Sequence, residues 1–282
     1  MKKIVLLLGA LLLANGSAFA ACDYECVAPY DMNSKFRTFL GSASGFNFLS
    51  EKTTQVIVRK AISKSITSDD LKVKLDSYSS KDLKNGIFKS LSITGNNVSV
   101  KDIYLSYLDM KTLCDFNYIR QNGSDMFFVE DFPMSFDIRL TASDINKTMK
   151  NERYQRVIND FNKLAKSYGA GIQISSTRVA IKSNKFYYII GVTIPFVRAE
   201  QKMVITSDIV VRNKKIDFTN TQLVSNIFRL DLHKVDFILN YLNPLDFSVN
   251  ILDNKDAKVS VNNVSIKNNM IYTDGVAVIP KD

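Results

Sequence analysis

The chain has 282 residues, 46% of them hydrophobic, and its 37 Lys and Arg against 28 Asp and Glu leave a formal net charge of +9. A chain of this size can bury a sizeable core without depending on disulfides. A single histidine, His233, and three cysteines, Cys22, Cys26 and Cys114, argue against a zinc site.

The N-terminus reads MKKIVLLLGALLLANGSAFA. Lys2 and Lys3 form a charged start, an apolar run of 4–13 follows, and Ala18-Phe19-Ala20 is a small-x-small cleavage site. This is the pattern of a bacterial secretory signal, with an apolar run too short to span a bilayer. Cleavage is expected after Ala20, followed by an irregular extension over 21–45 and a single domain over 46–282 made of two β-meander halves. A second reading attaches lipid at Cys22, although Phe19 stands where a lipobox carries Leu. If Cys22 is lipidated, Cys26 and Cys114 remain as a disulfide pair; if not, Cys22–Cys26 is an alternative bridge. Export to the periplasm or cell envelope excludes nucleic acid as a partner. The spread positive charge suits peripheral contact with anionic lipid headgroups, and scattered surface lysines are its plainer account.

The stretch 41–45, Gly-Ser-Ala-Ser-Gly, imitates a nucleophile elbow but has Ala43 at the nucleophile position, so it reads as a loop. Residues 46–66 read as a helix with Ser50 as N-cap. From Asp70 the period becomes two: Leu71, Val73 and Leu75 alternate with Lys72, Lys74 and Asp76. One helical turn over 80–85 is closed by Gly86. Strands follow over 87–94, 98–113, 115–120 and 126–140, with Gly95-Asn96-Asn97 read as a turn and Pro133 demoting part of the last to an edge. Thr141 to Ile145 open a short helix by N-capping.

The helix expected over 151–168 is the element on which the two strand-rich blocks converge. Tyr154, Val157, Ile158, Phe161, Leu164 and Ala165 make one apolar stripe, Glu152 sits near the start, and Lys163 and Lys166 lie near the end. Burying such a stripe, at up to ~1.5–3 kcal/mol per side chain, calls for a sheet closing over it. Strands are then expected over 172–182, 185–198, 202–212 and 216–223, with hairpin turns at Ser183-Asn184 and Asn213-Lys214. An amphipathic helix over 232–242 stops at Asn243-Pro244. Closing strands are expected over 247–252, 257–266 and 270–279.

This order of elements, and above all Leu83-Lys84-Asn85-Gly86-Ile87-Phe88-Lys89-Ser90-Leu91-Ser92-Ile93, resembles the LmeA-like phospholipid-binding family of exported bacterial proteins. Leu140-Thr141-Ala142-Ser143-Asp144-Ile145-Asn146 is similar to that family's strand-to-helix handover, and the tail from Asn243 to Val278 is similar to its closing strands. The resemblance implies an α+β fold of the tubular lipid-binding, or BPI-like, kind: a long curved antiparallel sheet wrapped around amphipathic helices. It also implies a non-catalytic role in holding phospholipid or a lipid-linked precursor, with no cofactor.

Candidates for a groove lining are Phe88, Leu91, Ile93, Tyr104, Leu105, Phe136, Ile138, Phe161, Tyr187, Ile189 and Phe196. Lys84, Lys89, Arg139 and Arg198 are the headgroup candidates. No residue is singled out as catalytic or metal-binding, and His233 falls on the polar side of its helix. The alternative is a structural or interaction protein of the envelope, with a fully packed β-rich core and no ligand groove.

Overall fold

The computed structural model describes residues 24–26, 56, 58–59, 62–63, 66–100, 102–122, 125–167, 171, 173–224, 238–239, 241–245 and 258–282. The expected signal segment, Cys22, the expected loop at 41–45, His233 and the strand expected over 247–252 lie outside them. So does most of each helix expected over 46–66 and 232–242. Among the described residues Val56, Val58, Arg59, Ile62 and Ser63 are helical, as are Ile238, Leu239 and Tyr241.

Fourteen strands and three bounded helices form the described body. The strands are β1 (Ile66–Thr67), β2 (Lys72–Asp76), β3 (Ile87–Phe88), β4 (Ser90–Val100), β5 (Ile103–Thr112), β6 (Asn117–Asn122), β7 (Asp125–Phe128), β8 (Phe132–Thr141), β9 (Gln173–Lys182), β10 (Lys185–Thr193), β11 (Gln201–Arg212), β12 (Lys215–Leu223), β13 (Lys258–Lys267) and β14 (Met270–Ile279). The helices are α1 (Ser80–Lys84), α2 (Ala142–Thr148) and α3 (Glu152–Ser167).

All the pairings are antiparallel and fall into three sheets. The first runs β1-β4-β5-β8-β14-β13, with β2 also on β4; the second is the meander β12-β11-β10-β9; the third is β3-β6-β7. The expected single long sheet wrapped around amphipathic helices is therefore not the fold. Of the described residues 56% are in strands and 19% in helices.

The physical reason is visible on α3. Only Tyr154 and Ile158 of its stripe are buried, Phe161 is half-buried, and Leu164 keeps 39% of its surface exposed. It packs on β9, with Tyr154 reaching Tyr188 of β10, so it flanks the second sheet instead of filling a tube. The wedge between the two large sheets is α2, which packs on β5, β8 and β9, while β13 meets β11 and β12 directly. Asn146 on α2 fixes this join: its Nδ2 donates to the Val179 carbonyl and its Oδ1 accepts from the Val179 N–H, both at 2.8 Å. Thr141 caps α2 through a complete capping box with Asp144, whose carboxylate also accepts from the Ser106 hydroxyl of β5.

The triplet Gly95-Asn96-Asn97 does not reverse the chain. β4 runs straight through it, and the turn into β5 comes at Asp102, with φ 66°. The polar triplet instead receives the β1–β2 loop: Asp70 accepts from the Asn96 backbone N–H (2.7 Å) and Nδ2 (2.8 Å), and Asp69 accepts from Asn97 Nδ2 (2.6 Å). Asn97 itself stands at φ 49°, and the buried set along β4 changes phase there, from Leu91, Ile93 and Gly95 to Val98 and Val100.

One apolar cluster runs through both large sheets, from Leu91, Ile93, Phe136 and Ile138 to Phe186, Tyr188 and Ile190. At its centre two tyrosine hydroxyls are buried together. Tyr154 on α3 donates to the Leu242 carbonyl at 2.8 Å, which leaves the Tyr188 hydroxyl of β10 to donate to Tyr154. Burial is the main cause that pushes both phenols well above their ordinary pKa. Cys26 is disulfide-bonded to Cys114, tying residues 24–26 to the chain 88 residues later.

Candidate functional site

The proposed lining residues do not converge on one surface. Phe88, Leu91, Ile93, Leu105, Phe136 and Ile138 are each 6% exposed or less and belong to the packed core. Tyr104, Phe161, Tyr187 and Ile189 are half-buried. On β10 the inward set is Phe186, Tyr188 and Ile190, so Tyr187 and Ile189 point to the other face. The unbroken apolar run Phe-Tyr-Tyr-Ile-Ile carries no period from which to choose the phase. Phe196 is fully exposed, at 107%.

Of the headgroup candidates, Lys84, Lys89 and Arg198 are exposed and lie on separate elements, and Arg139 alone is built into an arrangement. It occupies β8 between two tyrosines that pair with it in register, Tyr107 on β5 and Tyr272 on β14. Its guanidinium carbon lies 4.3 Å from the Tyr107 ring centre and 5.5 Å from that of Tyr272. One rung along, Asp109, Asp137 and Asp274 also stand directly opposite one another. Arg139 Nε is 3.7 Å from Asp137 Oδ1, an ion pair with both side chains about half exposed.

Partial burial is the first cause that raises the Asp137 pKa; Arg139 opposes it, and Asp274 and Asp109 add to it. The face is thus an aromatic–guanidinium stack beside a row of carboxylates. Among the described residues no three His, Cys, Asp or Glu side chains stand close enough to hold a metal ion.

A recess of about 160 Å³ lies beside the disulfide, lined by Tyr24, Cys114, Phe116, Glu130, Asp131 and Lys281. Burial, followed by the nearby Asp131 and Glu130 carboxylates, pushes the Tyr24 phenol up to about 12. It is polar, and smaller than the ~300–1,000 Å³ that small-molecule sites usually enclose.

At the surface, sequence reasoning also placed the β10–β11 connection wrongly. The strand expected over 185–198 ends at Thr193. Ile194-Pro195-Phe196-Val197 then make a turn closed by the Val197 N–H donating to the Ile194 carbonyl at 3.1 Å. Pro195 was the signal that could have found it, since proline cannot donate within a strand ladder and favours the second position of a turn. Phe196 takes the third position at φ 68°, so this is a type II turn with an aromatic residue where Gly or Asn is usual.

The surroundings hold that turn in place. A Cβ on Gly171 would come within 2.7 Å of Pro195 Cγ, so the proline rests on bare backbone. On the far side, Glu200 Oε1 accepts from the Ser175 and Ser176 hydroxyls at 2.6 and 2.7 Å, which lowers its pKa. Glu200 reaches them over Gly191, where a Cβ would lie 2.1 Å from the carboxylate oxygen.

No protein family, curated protein or solved structure matches this chain. No helix among the described residues is long and apolar enough to cross a membrane.

Proposed function

We propose that this protein is a non-catalytic, exported interaction protein of the bacterial cell envelope, acting through its surface with a closed β-rich core. The observation that carries the reading is the state of the inward positions. Ile93, Leu108, Ile138, Phe186, Tyr188 and Ile190 keep no exposed surface and pack into one continuous cluster. A groove that accepts an acyl chain would need some of these positions to line open space, because each bound methylene draws its ~0.8 kcal/mol from contact with them. The secretory pattern at residues 1–20 supports the localisation, and the positive balance supports an anionic partner.

Native mass spectrometry of the gently purified protein, followed by organic extraction, tests the reading. A mass matching the bare chain is expected, before and after incubation with liposomes. Reproducible adducts of phospholipid mass, absent from a control protein, would replace this reading with that of a lipid carrier.

A further inference from the structure

We propose that the turn at residues 194–197 is a membrane-docking element: Phe196, with Val197 beside it, enters the interfacial layer of an anionic phospholipid bilayer while Arg198 and Lys202 meet lipid phosphates. This names the partner of the surface-acting protein proposed above, and it rests on that reading.

Three observations meet at the turn. Phe196 has no protein contact that shields it, at 107% exposure, and Val197 keeps 44% of its surface open. The backbone at Phe196 is left-handed, φ 68°, a conformation that disfavours a side chain with a Cβ. Such a conformation persists only where the surroundings over-determine it, and here Pro195 on Gly171 and Glu200 on Ser175 and Ser176 do so from both sides. A glycine would satisfy the turn better than phenylalanine. What the phenylalanine adds is a rigidly presented aromatic ring in water, which gains only when something apolar receives it.

The choice of occupant follows from area and charge. Phe196 and Val197 offer far less than the ~800 Å² that each partner contributes to a stable protein interface. A single ring flanked by cations suits a bilayer interface, where the ring leaves water and the cations stay at the phosphates. Arg198 is exposed on the same connection and Lys202 is exposed at the start of β11. The one acid between them, Glu200, is also exposed, but its carboxylate is held by the Ser175 and Ser176 hydroxyls and lies near Lys202, so the segment keeps a net positive charge. Val224, 53% exposed, closes β12 at the same end: its N–H donates to the Val204 carbonyl at 2.8 Å.

The test is co-sedimentation of the purified protein with phosphatidylcholine vesicles, with and without about a third of phosphatidylglycerol. The parent protein is expected to bind the anionic vesicles more tightly, and less so as salt is raised. Phe196→Gly and Phe196→Ser are each expected to weaken partitioning about tenfold, and Arg198→Ala about fivefold. Phe196→Gly is the informative variant because the turn favours glycine, so its loss of binding cannot come from misfolding.

Parent protein that stays in the supernatant with anionic vesicles would overturn the proposal. So would a Phe196→Gly protein that binds as well as its parent, since docking would then lie elsewhere. If vesicle binding fails while the native mass stays free of lipid, the docking turn falls and the surface-acting reading stands. Lipid adducts in the native mass sink the latter whatever the vesicles show.

Discussion

At one end of the second sheet, β9–β10 and β11–β12 are joined by two-residue turns, with Ser183 and Asn184 at φ 51° and 57° and Asn213 and Lys214 at φ 53° and 61°. Positive φ at both central positions matches the right-handed twist of the flanking strands, so the backbone cost serves the hairpin itself. The side chains there are polar, and the β9–β10 turn is clasped to the β13–β14 turn by reciprocal bonds between Asn184 and Asn269. At the other end, the β10–β11 connection puts its positive φ on Phe196 and aims the ring at water. The first kind of strain closes a strand pair. The second holds a side chain where the fold itself does not use it, which is why it reads as function.

Electrostatics sharpens the contrast. At the polar end Lys182 stands directly opposite Lys185, and Arg212 opposite Lys215. Like charges in opposed positions repel, although Arg212 is relieved by Asp217 at 3.0 Å. At the apolar end the local conflict is steric, not electrostatic.

These differences can be broken one at a time. The interior between the two ends gives the largest expected effect: Tyr154→Phe removes a buried donor to the Leu242 carbonyl and the acceptor of Tyr188, and should lower stability in urea by about 1–3 kcal/mol. Phe196→Gly should move the other way, raising stability by about 1 kcal/mol as the left-handed backbone loses its penalty. A drop in stability would mean that the ring is supported by contacts in solution. Lys185→Glu should stabilise the polar end by about 0.2–1 kcal/mol by turning a like-charge pair into an opposite one, measured as a shift in the urea midpoint.

The smallest effect is acid sensitivity. Asp70, through its bonds from Asn96, and Glu200, through Ser175 and Ser176, have folded pKa values below their ordinary ones. Their contribution is full above the unfolded carboxylate pKa and is lost as pH falls through the lowered folded values. A thermal melt followed from neutral to strongly acidic pH should therefore lose less in Glu200→Gln than in the parent. Asp137, raised by burial, works in the opposite sense, since its charged form is disfavoured in the folded chain.

Much of the strand pattern is legible in the sequence, and the reasons for the failures are local. The hairpins at Ser183-Asn184 and Asn213-Lys214 announce themselves because each carries an asparagine, which tolerates left-handed backbone, between two alternating runs. The capping residues before α2 do so because a hydroxyl and a carboxylate three apart satisfy free N–H groups. Gly95-Asn96-Asn97 uses the same turn vocabulary in mid-strand, and no short-range signal distinguishes a turn from a docking point for the distant Asp69 and Asp70.

The stripe on α3 is real, but amphipathicity does not say how much of a face will be covered. Whether one sheet wraps a helix or two sheets share a core depends on pairings such as β8 with β14, whose partners, from Thr141 with Met270 to Phe132 with Ile279, are far apart along the chain. The stack of Arg139 on Tyr107 and Tyr272 is invisible for the same reason, because register alone brings the three together.

Leu105→Trp tests most directly whether the inward residues form a closed core. Leu105 is 1% exposed. Inserting an indole into a packed interior costs about 1–3 kcal/mol or more, which for a chain of this size lowers the melting temperature by about 2–4 °C per kcal/mol. That loss is expected with or without lipid. A variant that melts at the parent temperature would show open space around Leu105 and would contradict a closed core.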